Sequence, residues 1–164
     1  MILDLKSVFI EDGSSLNKEY SFSMSDVEIS GEKPFVSPIS VNITAINRAG
    51  LVKLFLATDF NYQRPCDRCG TVVAKNMQLN FEHCLVTSLS GDQNDDYIET
   101  PNHTIDIDEL LRADILLEIP SKYLCSDDCK GLCPICGVNL NEKSCNCTTK
   151  EIDPRLEVLK KFMN

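Results

Sequence analysis

Residues 124–147 of this chain read L-C-S-D-D-C-K-G-L-C-P-I-C-G-V-N-L-N-E-K-S-C-N-C and hold six cysteines: Cys125, Cys129, Cys133, Cys136, Cys145 and Cys147. Two more, Cys66 and Cys69, lie far upstream in P-C-D-R-C-G. Both clusters contain the same unit, C-x-x-C followed by glycine: Cys66, Cys69 and Gly70, then Cys133, Cys136 and Gly137. Two cysteines one tight turn apart can grip a single ion, with backbone N–H groups of the turn pointing at sulfur. The glycine accepts the left-handed backbone such a turn requires. Paired C-x-x-C units separated by a long insert are a zinc signature. Few features restrict a fold as much, because each knuckle must bring a second pair of ligands to its ion.

Eight sulfurs fill two tetrahedral sites. Spacing pairs Cys133 and Cys136 with Cys145 and Cys147, because the eight-residue insert between the pairs can fold back as a small ribbon. Cys66 and Cys69 then take Cys125 and Cys129, which clamps the middle of the chain to its end. The C-x-C spacing of Cys145 and Cys147 is less usual at zinc than C-x-x-C, so spacing alone leaves other partitions open. An iron–sulfur centre is the alternative use of the thiolates. A disulfide framework is the alternative without metal, and it needs an oxidising compartment. The amino-terminal stretch M-I-L-D-L-K-S-V-F-I-E-D carries Asp4 and no apolar run of signal-peptide length, and no stretch reaches the apolar length of a membrane span. The expectation is a cytoplasmic protein with reduced thiols, two zinc ions and no membrane partner.

The formal net charge of −9 is unevenly placed: residues 1–119 carry 9 Lys+Arg against 19 Asp+Glu, while residues 120–164 carry 7 against 6. Zinc ligands bind deprotonated, so eight thiolates (−8) and two divalent ions (+4) would take the chain from −9 to −13. Such a balance lacks the basic footprint of a nucleic-acid binder and suits a basic protein partner. The cations available for RNA or partner contact are Arg64, Arg68, Lys130, Arg155, Lys160 and Lys161.

The remaining pattern is β-rich. Residues 2–10 and 18–24 read as strands joined by a turn at 11–15. Residues 39–46 place Val41, Ile43 and Ala45 on one face, Asn47-Arg48-Ala49-Gly50 reads as a turn, and the apolar run 51–60 is a central strand. After the first knuckle, Met77, Leu79 and Phe81 alternate with Gln78, Asn80 and Glu82. No crossover helix separates these strands, which predicts antiparallel pairing. Residues 87–104 read as a mobile acidic loop. A helix follows, capped by Asp106 with Glu109 in capping-box spacing, with Ile107, Leu110, Leu111, Asp114 and Ile115 on one face and Pro120 at its end. Asp153-Pro154 starts a short terminal helix. The expected class is α+β: an antiparallel β meander with a capping helix, a C-terminal zinc-ribbon-like subdomain and a short terminal helix. The expected division is a β-rich core domain over 1–120, a cysteine-rich zinc-binding subdomain over 121–150, and the helix over 151–164.

The ordinary readings of the other polar residues leave no catalytic set. Cys84, the ninth cysteine, falls on a strand and reads as a packed core thiol. His83 shares the face of Met77, Leu79 and Phe81 and reads as a strand residue; His103 is solitary, and no His/Asp/Ser constellation is evident. Asp106, Asp108, Glu109 and Asp114 read as capping and a solvated helix face. Arg68, inside the first knuckle, either contacts a phosphate or acidic partner or offsets the charge of its own site.

Several of these pieces together resemble a known family. C-D-R-C before a strand, I-D-I-D-E-L-L-R, a run ending in L-E-I-P, C-x-x-x-C-K-G-L-C-P-I-C-G-V-N-L-N, a C-x-C and D-P-R-L-E-V-L are similar to the bacterial YceD family, the large ribosomal RNA subunit accumulation proteins. The resemblance spans residues 40–164. It implies a small non-enzymatic factor needed for normal levels of large-subunit ribosomal RNA. It also implies one site at Cys66, Cys69, Cys125 and Cys129 and an extra one at Cys133, Cys136, Cys145 and Cys147. The expected partner is a ribosomal protein, the 23S ribosomal RNA or a pre-ribosomal particle, with no small-molecule substrate. The competing readings are a zinc-ribbon regulator that binds nucleic acid, which the acidic charge disfavours, and a C-x-x-C thiol redox protein. The latter needs its motif to follow a strand and open a helix, whereas Cys66 to Gly70 lead into a strand.

Overall fold

The computed structural model describes residues 1–88 and 96–147. They divide into two compact units: Met1–Arg64 with Val72–Lys122, and Pro65–Thr71 with the described residues from Tyr123 onward.

The first unit is α+β. Its elements are β1 (Ile2–Asp4), α1 (Lys6–Ile10), β2 (Ser15–Phe22), β3 (Ile39–Arg48), β4 (Leu51–Pro65), β5 (Val72–Val86), β6 (Tyr97–Glu99), β7 (Thr104–Asp106) and α2 (Ile107–Glu118). A five-stranded sheet runs in the order β2-β3-β4-β5-β6, and β1 pairs with β7 in a separate antiparallel ribbon. β2 with β3 and β3 with β4 are antiparallel. The β3–β4 hairpin closes on a two-residue loop, Ala49-Gly50, with φ of 54° and 81° and Arg48 paired to Leu51. Left-handed backbone at both positions matches the twist of the flanking strands, so Asn47 and Arg48, read as turn residues, belong to the strand. The buried Asn47 side chain secures α1 beneath it, donating to the Val8 carbonyl at 2.7 Å.

Alternation decides which face is core. Ile39, Val41, Ile43 and Ala45 of β3 are buried with Val52, Leu54 and Leu56 of β4. α2 covers this face with Ile107, Leu111 and Ile115, each fully buried. The helix begins where Asp106 accepts the Asp108 N–H, and it ends at Glu118, ahead of Pro120. Two carboxylates on its buried side tether it across the sheet. Asp108 accepts the Tyr20 hydroxyl of β2 at 3.2 Å, and Asp114 meets His83 of β5 at 2.8 Å. Asp114 therefore lies on an otherwise apolar stripe because its partner stands opposite it. Among the described residues no helix is long and apolar enough to cross a membrane.

Four further expectations need correction. Residues 2–10 are not one strand: β1 ends at Asp4, whose carboxylate accepts the Lys6 N–H at 2.9 Å and turns the chain into α1. Local side-chain bonding of this kind competes with strand pairing. Residues 87–104 are not wholly loop, because the described part contains β6 and β7; residues 89–95 lie outside the description. β6 pairs parallel to β5, with Cys84 opposite Tyr97 and Val86 opposite Glu99, and Thr100 fixes the return by donating to the Val86 carbonyl through N–H and hydroxyl. The sheet is thus mostly, not wholly, antiparallel. Cys84 is half-buried rather than a core thiol, since the strand alternation sets it on the face opposite the buried Leu85. The helix expected from Asp153-Pro154 lies outside the described residues.

Candidate metal centres

The two knuckles fold alike. In the first, Cys66 N–H donates to the Thr71 carbonyl and Gly70 N–H to the Cys66 carbonyl, both at 2.9 Å. In the second, Cys133 N–H donates to Val138 and Gly137 N–H to Cys133, again at 2.9 Å. The glycines adopt φ of 71° and 72°. Each turn also aims two N–H groups at its leading sulfur: those of Arg68 and Cys69 at Cys66, and those of Ile135 and Cys136 at Cys133. The repeat of one backbone design at both C-x-x-C-G sites follows from the sequence, because the glycine alone accepts the left-handed corner without a Cβ penalty.

The second pair of the first group comes from residues 123–129, zipped to the first knuckle by backbone. Asp67 N–H donates to the Tyr123 carbonyl at 2.9 Å, and Tyr123 N–H donates to the Asp67 carboxylate at 2.6 Å. Arg68 Nη1 donates to the Cys129 carbonyl at 2.8 Å, and Leu132 N–H donates to the Arg68 carbonyl at 3.2 Å. Gly131 passes so close that a Cβ there would lie 3.1 Å from the Arg68 oxygen. Beyond it, Leu132 bridges to Asn139, and Leu140 N–H donates to the Gly131 carbonyl, which returns the chain as a short ribbon toward Cys145 and Cys147.

The thiols consequently form two groups of four: Cys66, Cys69, Cys125 and Cys129, and Cys133, Cys136, Cys145 and Cys147. Within each, all four sulfurs lie within 4.8 Å of one another. These are the same fours into which spacing sorts them. Cys66 to Cys129 is 3.8 Å and Cys69 to Cys125 is 3.7 Å. A tetrahedron of thiolates about 2.3 Å from its centre has an edge of about 3.8 Å, whereas a disulfide needs about 2.05 Å. Each group can therefore hold a metal ion. The first is enclosed, with Cys66, Cys69 and Cys129 buried; in the second, Cys136 and Cys147 are exposed. No other group of three or more His, Cys, Asp or Glu side chains is so placed among the described residues.

Electrostatics points the same way. Burial pushes the Cys66 thiol up, but the N–H groups of Arg68, Cys69 and Cys125 outweigh it and hold it near about 6. Cys133 is likewise lowered to about 6 by the N–H groups of Cys136 and Ile135 against burial. Their neighbours move oppositely: hydrogen bonding to Cys129 and then burial push Cys125 up to about 12, and hydrogen bonding to Cys136 and then burial push Cys147 up to about 12. Each group tolerates some thiolate but resists four, and a divalent cation is what makes four compatible.

Of the cations singled out in the sequence, three fall among the described residues. Arg68 is engaged within its own unit by the Cys129 carbonyl, Lys130 is exposed beside the first group, and Arg64 is half-buried at the end of β4. Arg155, Lys160 and Lys161 lie outside the described residues. Spacing gave no sign of two contributors: Asp67, which holds Tyr123, and Asn141, whose amide reaches the Cys129 sulfur at 3.3 Å. Burial raises the Cys129 thiol, yet this amide and the Gly131 N–H bring it below its ordinary value.

Comparison with known proteins reaches the same part of the chain. The family described as Large ribosomal RNA subunit accumulation protein YceD matches residues 56–163. The chain is 39% identical over 74 residues to the Zea mays protein named Large ribosomal RNA subunit accumulation protein YCED homolog 1, chloroplastic, covering 42% of this chain and 25% of that one. It is 43% identical over 49 residues to the Arabidopsis thaliana protein of the same name, covering 30% and 15%. Uncharacterized protein YlbN of Bacillus subtilis (strain 168) is 27% identical over 130 residues, 78% of this chain and 76% of that one. The matches thus span only a quarter or less of the two plant relatives. No solved structure matches. On the extent of the family match, which includes both groups of cysteines, this chain belongs to the YceD family.

Proposed function

We propose that this chain is a non-enzymatic, zinc-holding factor that supports accumulation of large-subunit ribosomal RNA, acting through a basic ribosomal protein or a pre-ribosomal particle that contains one. The observation that carries the reading is the pair of four-cysteine groups inside the stretch matched by the family. Four cysteines per ion leave no open coordination position, so the centres are structural rather than hydrolytic. Zinc is preferred because both groups sit on zinc-knuckle turns with their sulfurs within 4.8 Å of one another, and the 3.8 and 3.7 Å separations in the first fit a single tetrahedral ion. In this reading Pro65–Thr71 together with the described residues from Tyr123 onward form a zinc-ribbon-like module distinct from the β-rich unit, and the protein works in a reducing compartment such as the cytoplasm. Thiol redox chemistry is disfavoured because the knuckle thiols are gathered in fours and the first knuckle leads into β5, not a helix.

The net charge of −9 favours a basic protein over bare RNA. RNA contact, where made, falls to Arg64, Arg68, Lys130, Arg155, Lys160 and Lys161. Capture of the tagged protein from growing cells, with and without nuclease, tests the reading. Retention of a large-subunit protein after nuclease is the expected result. Loss of all partners after nuclease transfers the role to RNA, and absence of ribosomal components in both samples removes the proposal.

A further inference from the structure

Asn141 belongs to the insert between the two ligand pairs of the second group, yet its side chain touches a sulfur of the first. Nδ2 lies 3.3 Å from Cys129 Sγ and 2.8 Å from Asn139 Oδ1, while Oδ1 accepts the Lys130 N–H at 2.8 Å. Chemistry fixes this orientation. A backbone N–H can only donate, so the atom facing Lys130 is the carbonyl oxygen, and the amide hydrogens face Asn139 and the sulfur. One amide thus grips both Cys129 and the residue after it. Asn139 holds the turn in place: its carbonyl accepts the N–H groups of Glu142 and Lys143, and its Nδ2 donates to Glu142 Oε1 at 3.0 Å. The turn is closed on one side by Cys133 and Cys136 and on the other by Cys145 and Cys147.

We propose that Asn141 couples the two centres: an ion held by Cys133, Cys136, Cys145 and Cys147 fixes the turn that presents the Asn141 amide to Cys129, and so tightens metal binding at Cys66, Cys69, Cys125 and Cys129. This rests on the metal reading above. The insert is polar and mostly exposed, with no apolar core of its own, so the ligand pairs at its ends are what hold its shape. An N–H donated to a thiolate offsets its charge and favours the metal-bearing form. Coupling between sites is reciprocal, so filling the first centre favours the second by the same factor. Asn141 is a positioning residue here, not a ligand.

The test uses the full chain and a chromophoric chelator competing for zinc, with the Gly70 and Gly137 amide resonances reporting the two centres separately. Cobalt(II) replaces zinc for spectroscopy. The variants are Asn141→Ala, Asn141→Asp and a Cys136→Ser/Cys147→Ser chain with the second centre disabled. Asn141→Asp keeps an acceptor for Lys130 while setting oxygen lone pairs against the sulfur, and far-UV circular dichroism checks that it folds. First-centre affinity is expected to fall about 10- to 100-fold in each variant, and Asn141→Ala is expected to add little in the disabled chain. The sulfur-to-cobalt charge-transfer band of the first centre should shift to lower energy in Asn141→Ala, because a thiolate without its hydrogen bond gives up electrons more readily. First-centre affinity within about twofold of the unaltered chain in both Asn141 variants, with two ions still bound, overturns the coupling alone. An unaltered chain that takes up neither metal overturns the metal reading with it.

Discussion

The sulfurs of Cys66 and Cys129 stand 3.8 Å apart although 63 positions separate them in the chain. Closing so long a loop carries an entropic cost, which an ion shared by the four sulfurs would help to offset. The first centre should therefore hold more structure than the second, whose four ligands lie within one short stretch. Cys69→Ser is expected to lower metal content from two equivalents to one and to collapse the amide dispersion of residues 65–71 and 123–132. Cys133→Ser also loses one equivalent, but its shift changes concentrate in residues 130–147 and reach the first centre only through the Asn141 contact at Cys129. Equal thermal destabilisation by the two variants would count against this ranking.

Gly131 and Gly137 both adopt left-handed backbone, at φ of 74° and 72°, but only Gly131 has a neighbour where a Cβ would go. Gly137→Ala should cost about 1–2 kcal/mol from the backbone alone. Gly131→Ala should cost more, because the Arg68 carbonyl must also move. Chelator-induced unfolding of the two variants measures the difference, and a smaller effect for Gly131→Ala would contradict the close approach.

Leu111 and Leu117 share α2, yet Leu111 is fully buried and Leu117 is 83% exposed. Leu111→Ala is expected to cost about 2–5 kcal/mol, and Leu117→Ala to stay within about 0.5 kcal/mol. Urea unfolding of both would show whether the helix covers the sheet with the face described.

Asp26 accepts two hydrogen bonds from the Arg112 guanidinium, at 2.9 and 3.2 Å, and these hold its carboxyl below the ordinary value of 3.8. A depressed folded value means that the pair's contribution is present above the unfolded value and is lost as pH falls through the folded one. Arg112→Gln should move the Asp26 titration upward toward 3.8 and flatten the acid-side loss of stability. A side-chain carboxyl NMR titration reads the shift directly, and an unmoved midpoint would remove Arg112 as its cause.

The knuckles were legible because cysteine spacing and the following glycine each have a narrow physical meaning, and the two meanings agree. β3, β4 and α2 were legible because their apolar periods run long enough to separate 2.0 from 3.6, and because Asp106 and Pro120 mark the helix ends. Residues 2–10 defeated this reading: Leu3 and Leu5 alternate, Leu5 and Val8 are a helical step apart, and so short a run fits both. β6 has three residues and no period; it exists because the Cys84 to Val86 edge is open to it, which is a fact of the fold. Asn141 was invisible for the same reason, since an asparagine in a polar insert announces nothing until the turn carries it to Cys129.

The most direct test of the account is metal and thiol analysis of the full protein purified without chelator. Two equivalents of zinc, zinc–sulfur distances of about 2.3 Å by X-ray absorption, and one rapidly reacting thiol, that of Cys84, are the expected results. Metal-free protein with nine reactive thiols, or cysteines joined as disulfides, would contradict it.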